Sequence, residues 1–292
     1  MLTVSGATWD DPPAANRMAR EAASLQNQGK FGLAAEVWDE FLTKFPETSL
    51  AGKARYYSGV CHMKVGELDP AIASFEILAD QIKDQPEYPY NEDTLLNLGG
   101  CYLSRAEQPG GDSGKDFGLA QKTFGRLAKE FPEGKYRDQA IYFQAEAFYL
   151  SDNVEASIPL YREVVDDYED SSVRSNALYA LGVALDDAGQ SELALKRYEM
   201  FLADYERDPL VGDVAMRRAE TLLQRSQSLE RRGEATEETW EVARAAFDQL
   251  SEREGFEQAD RATYQAAYCL AKQGKSDQAA PLYASIAERF PK

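Results

Sequence analysis

Apolar and small residues recur along this chain at intervals of three, four and seven, which gathers them on one stripe of a helix rather than on the alternating face of a strand. The register is cleanest from Ser175 to Asp208, SNALYALGVALDDAGQSELALKRYEMFLADYERD. Gly182 and Gly189 lie seven apart, Ala194 follows five later, Tyr198 four after that, Phe201 three further and Tyr205 four further. Gly189 divides the stretch, because a glycine closing a helical run adopts the left-handed conformation that ends a helix. Two short antiparallel helices are therefore predicted, with Gly182 and Ala194 where their axes come closest and Tyr198 and Phe201 filling the space beyond.

Such a pair cannot bury both of its faces alone, so it must repeat or dock. It repeats. A small residue followed four later by an aromatic recurs at Ala34/Trp38, Ala71/Phe75, Ala120/Phe124, Ser157/Tyr161, Ala194/Tyr198, Ala243/Phe247 and Ala279/Tyr283. Successive anchors are separated by 37 residues (Ala34 to Ala71), with two intervals lengthened by 12 (Ala71 to Ala120 and Ala194 to Ala243) and a last one of 36. The first helix of each pair carries its own small residue at the predicted point of closest approach: Ala22, Gly59, Gly99, Ala145, Gly182, Ala219 and Ala267. The pairs fall at about 14–46, 47–83, 90–132, 135–169, 172–206, 209–254 and 257–292, after a flexible leader over 1–13.

This order of small, small and aromatic residues resembles the tetratricopeptide repeat family, in which a proline follows the second helix. Here that exit reads Phe45-Pro46, Phe131-Pro132 and Phe290-Pro291, decaying to Tyr168-Glu169 and Tyr205-Glu206. The resemblance covers nearly the whole chain and implies an all-α fold, a right-handed α-α superhelix of seven helix pairs. A period of 37 exceeds the commonest length of that family by about one helical turn. Longer units with this exit look like the bacterial envelope branch, which includes the outer-membrane assembly lipoprotein BamD and the TolA-binding periplasmic protein; residues 116–140 carry most of that likeness. The resemblance thus implies the periplasm or cell envelope, with the cytoplasm as the alternative.

Two insertions interrupt the period. In the third repeat nine residues separate Gly99 from Ala120 beyond the twelve between Gly182 and Ala194, and the run Gly110 to Gly114 predicts a mobile loop near 108–116. In the sixth, QRSQSLERRGEA, near 224–235, contains no breaker before Gly233 and predicts an extension of the first helix by about three turns. Pro86 and Pro89 lengthen the connection into the third repeat by three residues, and Pro159 is expected in the first turn of its helix. No polar capping helix follows the seventh repeat, which predicts further repeats or self-association through that end.

Charge narrows the partners. With 32 basic against 50 acidic residues the net charge is −18, which repels a phosphate backbone, so nucleic acid is excluded and a protein or basic peptide is the electrostatic match. The same acidity also keeps a repeat protein soluble. No run of about 18 apolar residues exists, so no membrane insertion is predicted. The first thirteen residues have neither a basic head nor an apolar centre and do not read as a secretory signal.

No cofactor, metal or catalytic residue is predicted. Cys61, Cys101 and Cys269 each lie two residues after the small residue of a first helix, where the other repeats carry Ser24, Ala147, Ala184 and Thr221, so they read as small buried side chains. His62 is the only histidine and reads as a half-buried structural residue, with a pH-sensitive joint as the alternative. The sequence shows no phosphate loop and no nucleophile elbow.

What remains is the wall formed by the first helices. By register it includes Tyr56, Met63 and Lys64, Tyr142 and Tyr149, Tyr179, and Arg261, Tyr264 and Tyr268. Tyrosine recurs at one site, three residues before the small one, in four repeats: Tyr56, Tyr142, Tyr179 and Tyr264. A large apolar ring with one polar tip suits a groove that grips a peptide, helix or protein subunit, yet the same ring fills a joint between repeats equally well. Related domains hold a terminal carboxylate with paired Lys or Arg and Asn on this wall; where the asparagine would be expected this chain has Val60, Gly100, Glu146, Val183 and Glu220, which argues against such a clamp. A non-enzymatic interaction scaffold is the reading of this pattern; a structural spacer or self-associating segment of a longer protein is the alternative.

Overall fold

A computed structural model describes residues 11–290, and all of its regular structure is helical. The predicted leader falls outside the described residues up to residue 10, as does Pro291 of the last exit. Fourteen helices follow one another among the described residues: α1 (Pro13–Asn27), α2 (Phe31–Lys44), α3 (Ala51–Lys64), α4 (Leu68–Gln81), α5 (Asn91–Ala106), α6 (Ser113–Glu130), α7 (Arg137–Leu150), α8 (Val154–Asp167), α9 (Arg174–Asp187), α10 (Ser191–Asp204), α11 (Val211–Arg231), α12 (Glu237–Ser251), α13 (Ala259–Lys272) and α14 (Ser276–Arg289). They fit seven helix pairs, one for each repeat.

The chain forms two compact bodies, Met1–Ala156 and Ser157–Lys292, with the division inside α8. Within the first, each helix from α1 to α7 packs on the next, and α5 also touches α3 and α7. Within the second, α9 to α14 pack in the same serial way, and α11 also touches α9.

Local chemistry explains the pairing. The turn between paired helices sits seven residues after the small residue, where Gly29, Gly66, Gly189 and Gly274 all take positive φ. The fourth repeat puts Asp152 there instead, at φ 61°, a region disfavoured for a residue with a Cβ. The small residues themselves make room for a ring. A Cβ on Gly59 would stand 2.8 Å from the Phe75 ring, on Gly99 2.6 Å from Phe124 and on Gly182 2.4 Å from Tyr198. Those rings and the anchors Ala71, Ala120, Ala194 and Ala243 are all buried, as is Ala279. Truncating an aromatic so placed costs about 3–5 kcal/mol in other proteins, so each repeat has one dominant packing residue.

Three expectations are corrected. The insertion in the third repeat is mostly helical, not loop: α5 has 16 residues and α6 18, where most helices have 14, leaving only 107–112 between them. Helix starts at Ser113 because the Asp112 carboxylate accepts the Lys115 amide at 3.1 Å, and Ser113 Oγ closes the loop on the Ala106 carbonyl. Arg105 then ties the two helices, donating twice to buried Asp116 (2.9 and 2.7 Å) and once to Asp69 (2.7 Å). In the sixth repeat α11 has 21 residues against 14 in α9, so the extension is about two turns rather than three. Gly233, at φ +74°, ends it, and Thr236 starts α12 with a capping box closed by Thr239. Finally, Pro159 is the sixth residue of α8, past the first turn, and Pro281 holds the same place in α14.

Candidate interaction surface

The first helices carry the wall, and the two bodies build it differently. In the N-terminal body Tyr56 is buried, its ring stacked on Tyr90 with centroids 4.4 Å apart and planes 16° from parallel. Tyr57 packs edge-on against both, and its hydroxyl lies 3.1 Å from that of Tyr90. Burial raises the Tyr56 phenol above its ordinary range, and the Asp93 charge adds to the shift. Tyr142 is likewise buried, edge-on to Phe143 at 5.2 Å. These two tyrosines fill joints. Met63 and Tyr149 are half-buried and Lys64 is exposed, so what the wall shows solvent here is thin. Asp93, further along it, accepts from Lys135 at 3.0 Å and from the Tyr136 hydroxyl at 2.9 Å.

On the C-terminal body the wall opens. Tyr179 of α9 is half-buried against Tyr198, and Arg217 of α11 faces it across the same cleft. Together with Asp213, Met216, Glu220 and Arg261 these two residues line a cleft of about 300 Å³. Arg261 of α13 makes an ion pair with Glu220 across it. Three residues beyond Arg261, Tyr264 is 51% exposed, with its ring 5.3 Å from that of Tyr283. Tyr268 is half-buried, edge-on to Trp240, and the Lys272 ammonium lies 5.6 Å and 5.8 Å from the two ring centres.

The structure therefore gathers Tyr179, Glu220 and Arg261 at one place and adds Asp213, Met216 and Arg217, which the sequence reading did not single out. Their signal was available: Arg217 stands two residues before Ala219, on the turn of α11 that faces Tyr198 and Tyr179. Alternation of two cations with two carboxylates makes this cleft polar and nearly neutral, within a chain that is strongly acidic as a whole.

The remaining titratable groups serve packing. Cys61, Cys101 and Cys269 are free and buried, and desolvation pushes each thiol up to about 12, which leaves them protonated and unreactive at neutral pH. His62 is buried with both ring nitrogens occupied, Nδ1 by Glu67 at 2.6 Å and Nε2 by Asp39 of α2 at 2.9 Å. Burial alone would lower its pKa, but hydrogen bonds and charge from Glu67 and Asp39 outweigh it and raise the value. Among the described residues no three His, Cys, Asp or Glu side chains are grouped as a metal site, and no helix is long and apolar enough to cross a membrane.

Serial helix pairs with a small residue under each aromatic are the arrangement that family comparison matches. Tetratricopeptide repeat models match residues 19–90 and 234–292, and a second model of the same description matches 176–207, together more than half of the chain. The chain belongs to the tetratricopeptide repeat family. Solved structures agree at the level of fold. The C-terminal part of a TPR repeat-containing protein from Cytophaga hutchinsonii is 15% identical, with a TM-score of 0.71 over 94% of this chain and 96% of that one. A tetratricopeptide repeat protein from Parabacteroides merdae is 13% identical, with a TM-score of 0.57 over 96% and 94%. MamA from Desulfovibrio magneticus, residues 41 to the end, is 14% identical, with a TM-score of 0.53 over 68% of this chain and 98% of that one. No curated protein matches the sequence. Tetratricopeptide arrays serve as protein interaction scaffolds.

Proposed function

We propose that this tetratricopeptide array is a non-enzymatic scaffold that binds a peptide, helix or protein subunit on the wall of its C-terminal body, at the cleft between Tyr179 and Arg261. The observation that carries the reading is Tyr264, an aromatic ring half in solvent beside a polar cleft, whereas the equivalent Tyr56 and Tyr142 are covered. Tyrosine and arginine are the side chains on which interface energy concentrates. A net charge of −18 favours a partner with basic residues, which Asp213 on the cleft wall is placed to receive, Glu220 being paired with Arg261. The long period and the Phe-Pro exits support a role in a bacterial envelope assembly.

The test is site-directed photocrosslinking in the native host from a benzophenone side chain at position 264. A discrete crosslinked partner is expected, lost when Arg261→Glu and Tyr179→Ala are combined while the melting temperature of the N-terminal body stays the same. Absence of any crosslink, or one indifferent to those changes, overturns the assignment.

A further inference from the structure

The sixth repeat is lengthened inside its first helix. Ser226 stands seven residues after Ala219, where the preceding repeat has its turn glycine, Gly189, seven after Gly182; α11 nevertheless continues to Arg231. At 3.6 residues per turn, Gln224, Arg225, Ser228, Arg231 and Arg232 share one side of this overhang. That side faces residues 189–193, the turn after α9 and the first turn of α10, across a cavity of about 660 Å³, about twice the cleft at Tyr179. The volume falls within the roughly 300–1,000 Å³ of ordinary ligand sites.

The overhang is sorted by charge. Its carboxylate, Glu230, lies outside the cavity and pairs with Lys272 of α13 at 2.8 Å, which leaves the cavity side basic or neutral. Arg231 is exposed and makes no ion pair or side-chain hydrogen bond among the described residues. Arg225 meets Glu192 through one nitrogen at 2.9 Å, and Arg232 meets Glu234 at 3.3 Å, both pairs well exposed. A guanidinium carries five N–H donors, so both arginines keep donors in reserve, and exposed pairs of this kind are given up at little cost. Across the cavity the Asp186 carboxylate is already satisfied, accepting from the Ser191 and Thr221 hydroxyls at 2.8 Å each. Beside it Leu193, 42% exposed, adds an apolar spot. Three cations against two carboxylates line this cavity in a chain of net charge −18, a local reversal of sign.

Spacing selects the occupant. Arg225 stands six and seven residues before Arg231 and Arg232, or about 9–10 Å along the helix axis. One small anion does not span that distance. Two carboxylates three residues apart on an extended chain do, at about 3.3 Å per residue. We infer that the α11 overhang and the first turn of α10 hold an acidic peptide segment, with one carboxylate at Arg225, the next at Arg231 and Arg232, and an apolar side chain against Leu193. This surface is separate from the cleft at Tyr179 and takes a partner segment of the opposite charge.

Fluorescence anisotropy of the 292-residue chain with a rhodamine-labelled peptide, Ser-Glu-Leu-Ser-Glu-Ser, tests it against the same peptide with both glutamates replaced by glutamine. The glutamate peptide is expected to bind and the glutamine peptide to bind about tenfold more weakly or worse. Combining Arg231→Glu with Arg232→Glu should cost the glutamate peptide a similar factor, and Arg231→Gln alone a smaller one in the same direction; circular dichroism checks that these exposed substitutions leave the helices intact. Arg261→Glu, in the cleft, should leave the affinity unchanged, which separates this surface from the cleft. Failure of the glutamate peptide to bind, equal binding of the two peptides, or indifference to the arginine substitutions overturns the inference. So does complete displacement by inorganic phosphate at constant ionic strength, which would make the cavity a simple anion site.

Discussion

Tyr56 and Tyr264 occupy the same repeat position, three residues before a small residue of a first helix, and one is buried while the other is half in solvent. Their own helices do not explain the difference. Tyr56 is covered by Tyr90, which comes from the lengthened, proline-containing connection between the second and third repeats; the ring nearest Tyr264 is Tyr283, packed at a steeper angle. A repeat register fixes the side of the helix on which a residue stands, but the cover above it is supplied by a segment that does not repeat. Binding surfaces in such arrays are accordingly found where the cover is missing, and a count of aligned tyrosines overstates them.

The largest expected effect comes from a site where the two bodies agree. Beneath both walls an aromatic ring fills the space that a glycine leaves, so Gly182→Leu should destabilise the C-terminal body by about 3 kcal/mol, as overpacking at a closed contact does. Urea unfolding measures it, and Gly59→Leu should do the same to the N-terminal body. A mild effect in either would mean that the ring can move aside. Next in size, Tyr90→Ala should cost about 2 kcal/mol through the lost stack on Tyr56. It should also bring Tyr56 forward in the order of nitration by tetranitromethane, where Tyr264 is expected to react first in the unaltered chain.

Asp152→Gly should stabilise by about 1 kcal/mol by relieving the left-handed backbone at the one paired-helix turn that lacks glycine. The N-terminal body should also carry a pH signature near neutrality, because the chain's one histidine, His62, lies in it. Because the folded pKa of His62 is raised above its unfolded value, its contribution is fully present below about 6.5 and is lost as pH rises through the folded value. His62→Gln should flatten stability across that window, with Asp39 and Glu67 left to face a neutral donor. Smallest of all, Tyr264→Ala should change stability by less than about 0.5 kcal/mol, since the ring is half in water and its contact with Tyr283 lies at the surface. A larger loss would make Tyr264 a packing residue like Tyr56 and remove the contrast.

Much of the fold was legible in the chain. The spacing of Gly182, Ala194 and Tyr198 located a helix pair, and the recurrence of that spacing located the rest. The shared site of Cys61, Cys101 and Cys269 announced burial without a disulfide. The insertions were harder to read. Glycine-rich residues 110–114 look like loop, but one side-chain cap at Asp112 is enough to start a helix inside them. The extension of α11 was read as helix and overshot by a turn, because Gly233 sets the stop. The candidate site was legible only in part. Tyr179 and Arg261 belong to repeats whose anchors are 85 residues apart, Ala194 and Ala279, and their meeting at Arg217 and Glu220 of the intervening helix needs the packed bundle.

By itself the sequence determined the repeat: its period, the helix faces, the turns and the ring that each small residue admits. All of these are local, because helical periodicity and a glycine's left-handed φ act within a few residues. Tertiary structure alone decided which of the equivalent positions are covered, since burial is a property of two surfaces brought together and the sequence writes down only one of them at a time. That is why Tyr56 and Tyr264, alike in the chain, part company in the folded protein.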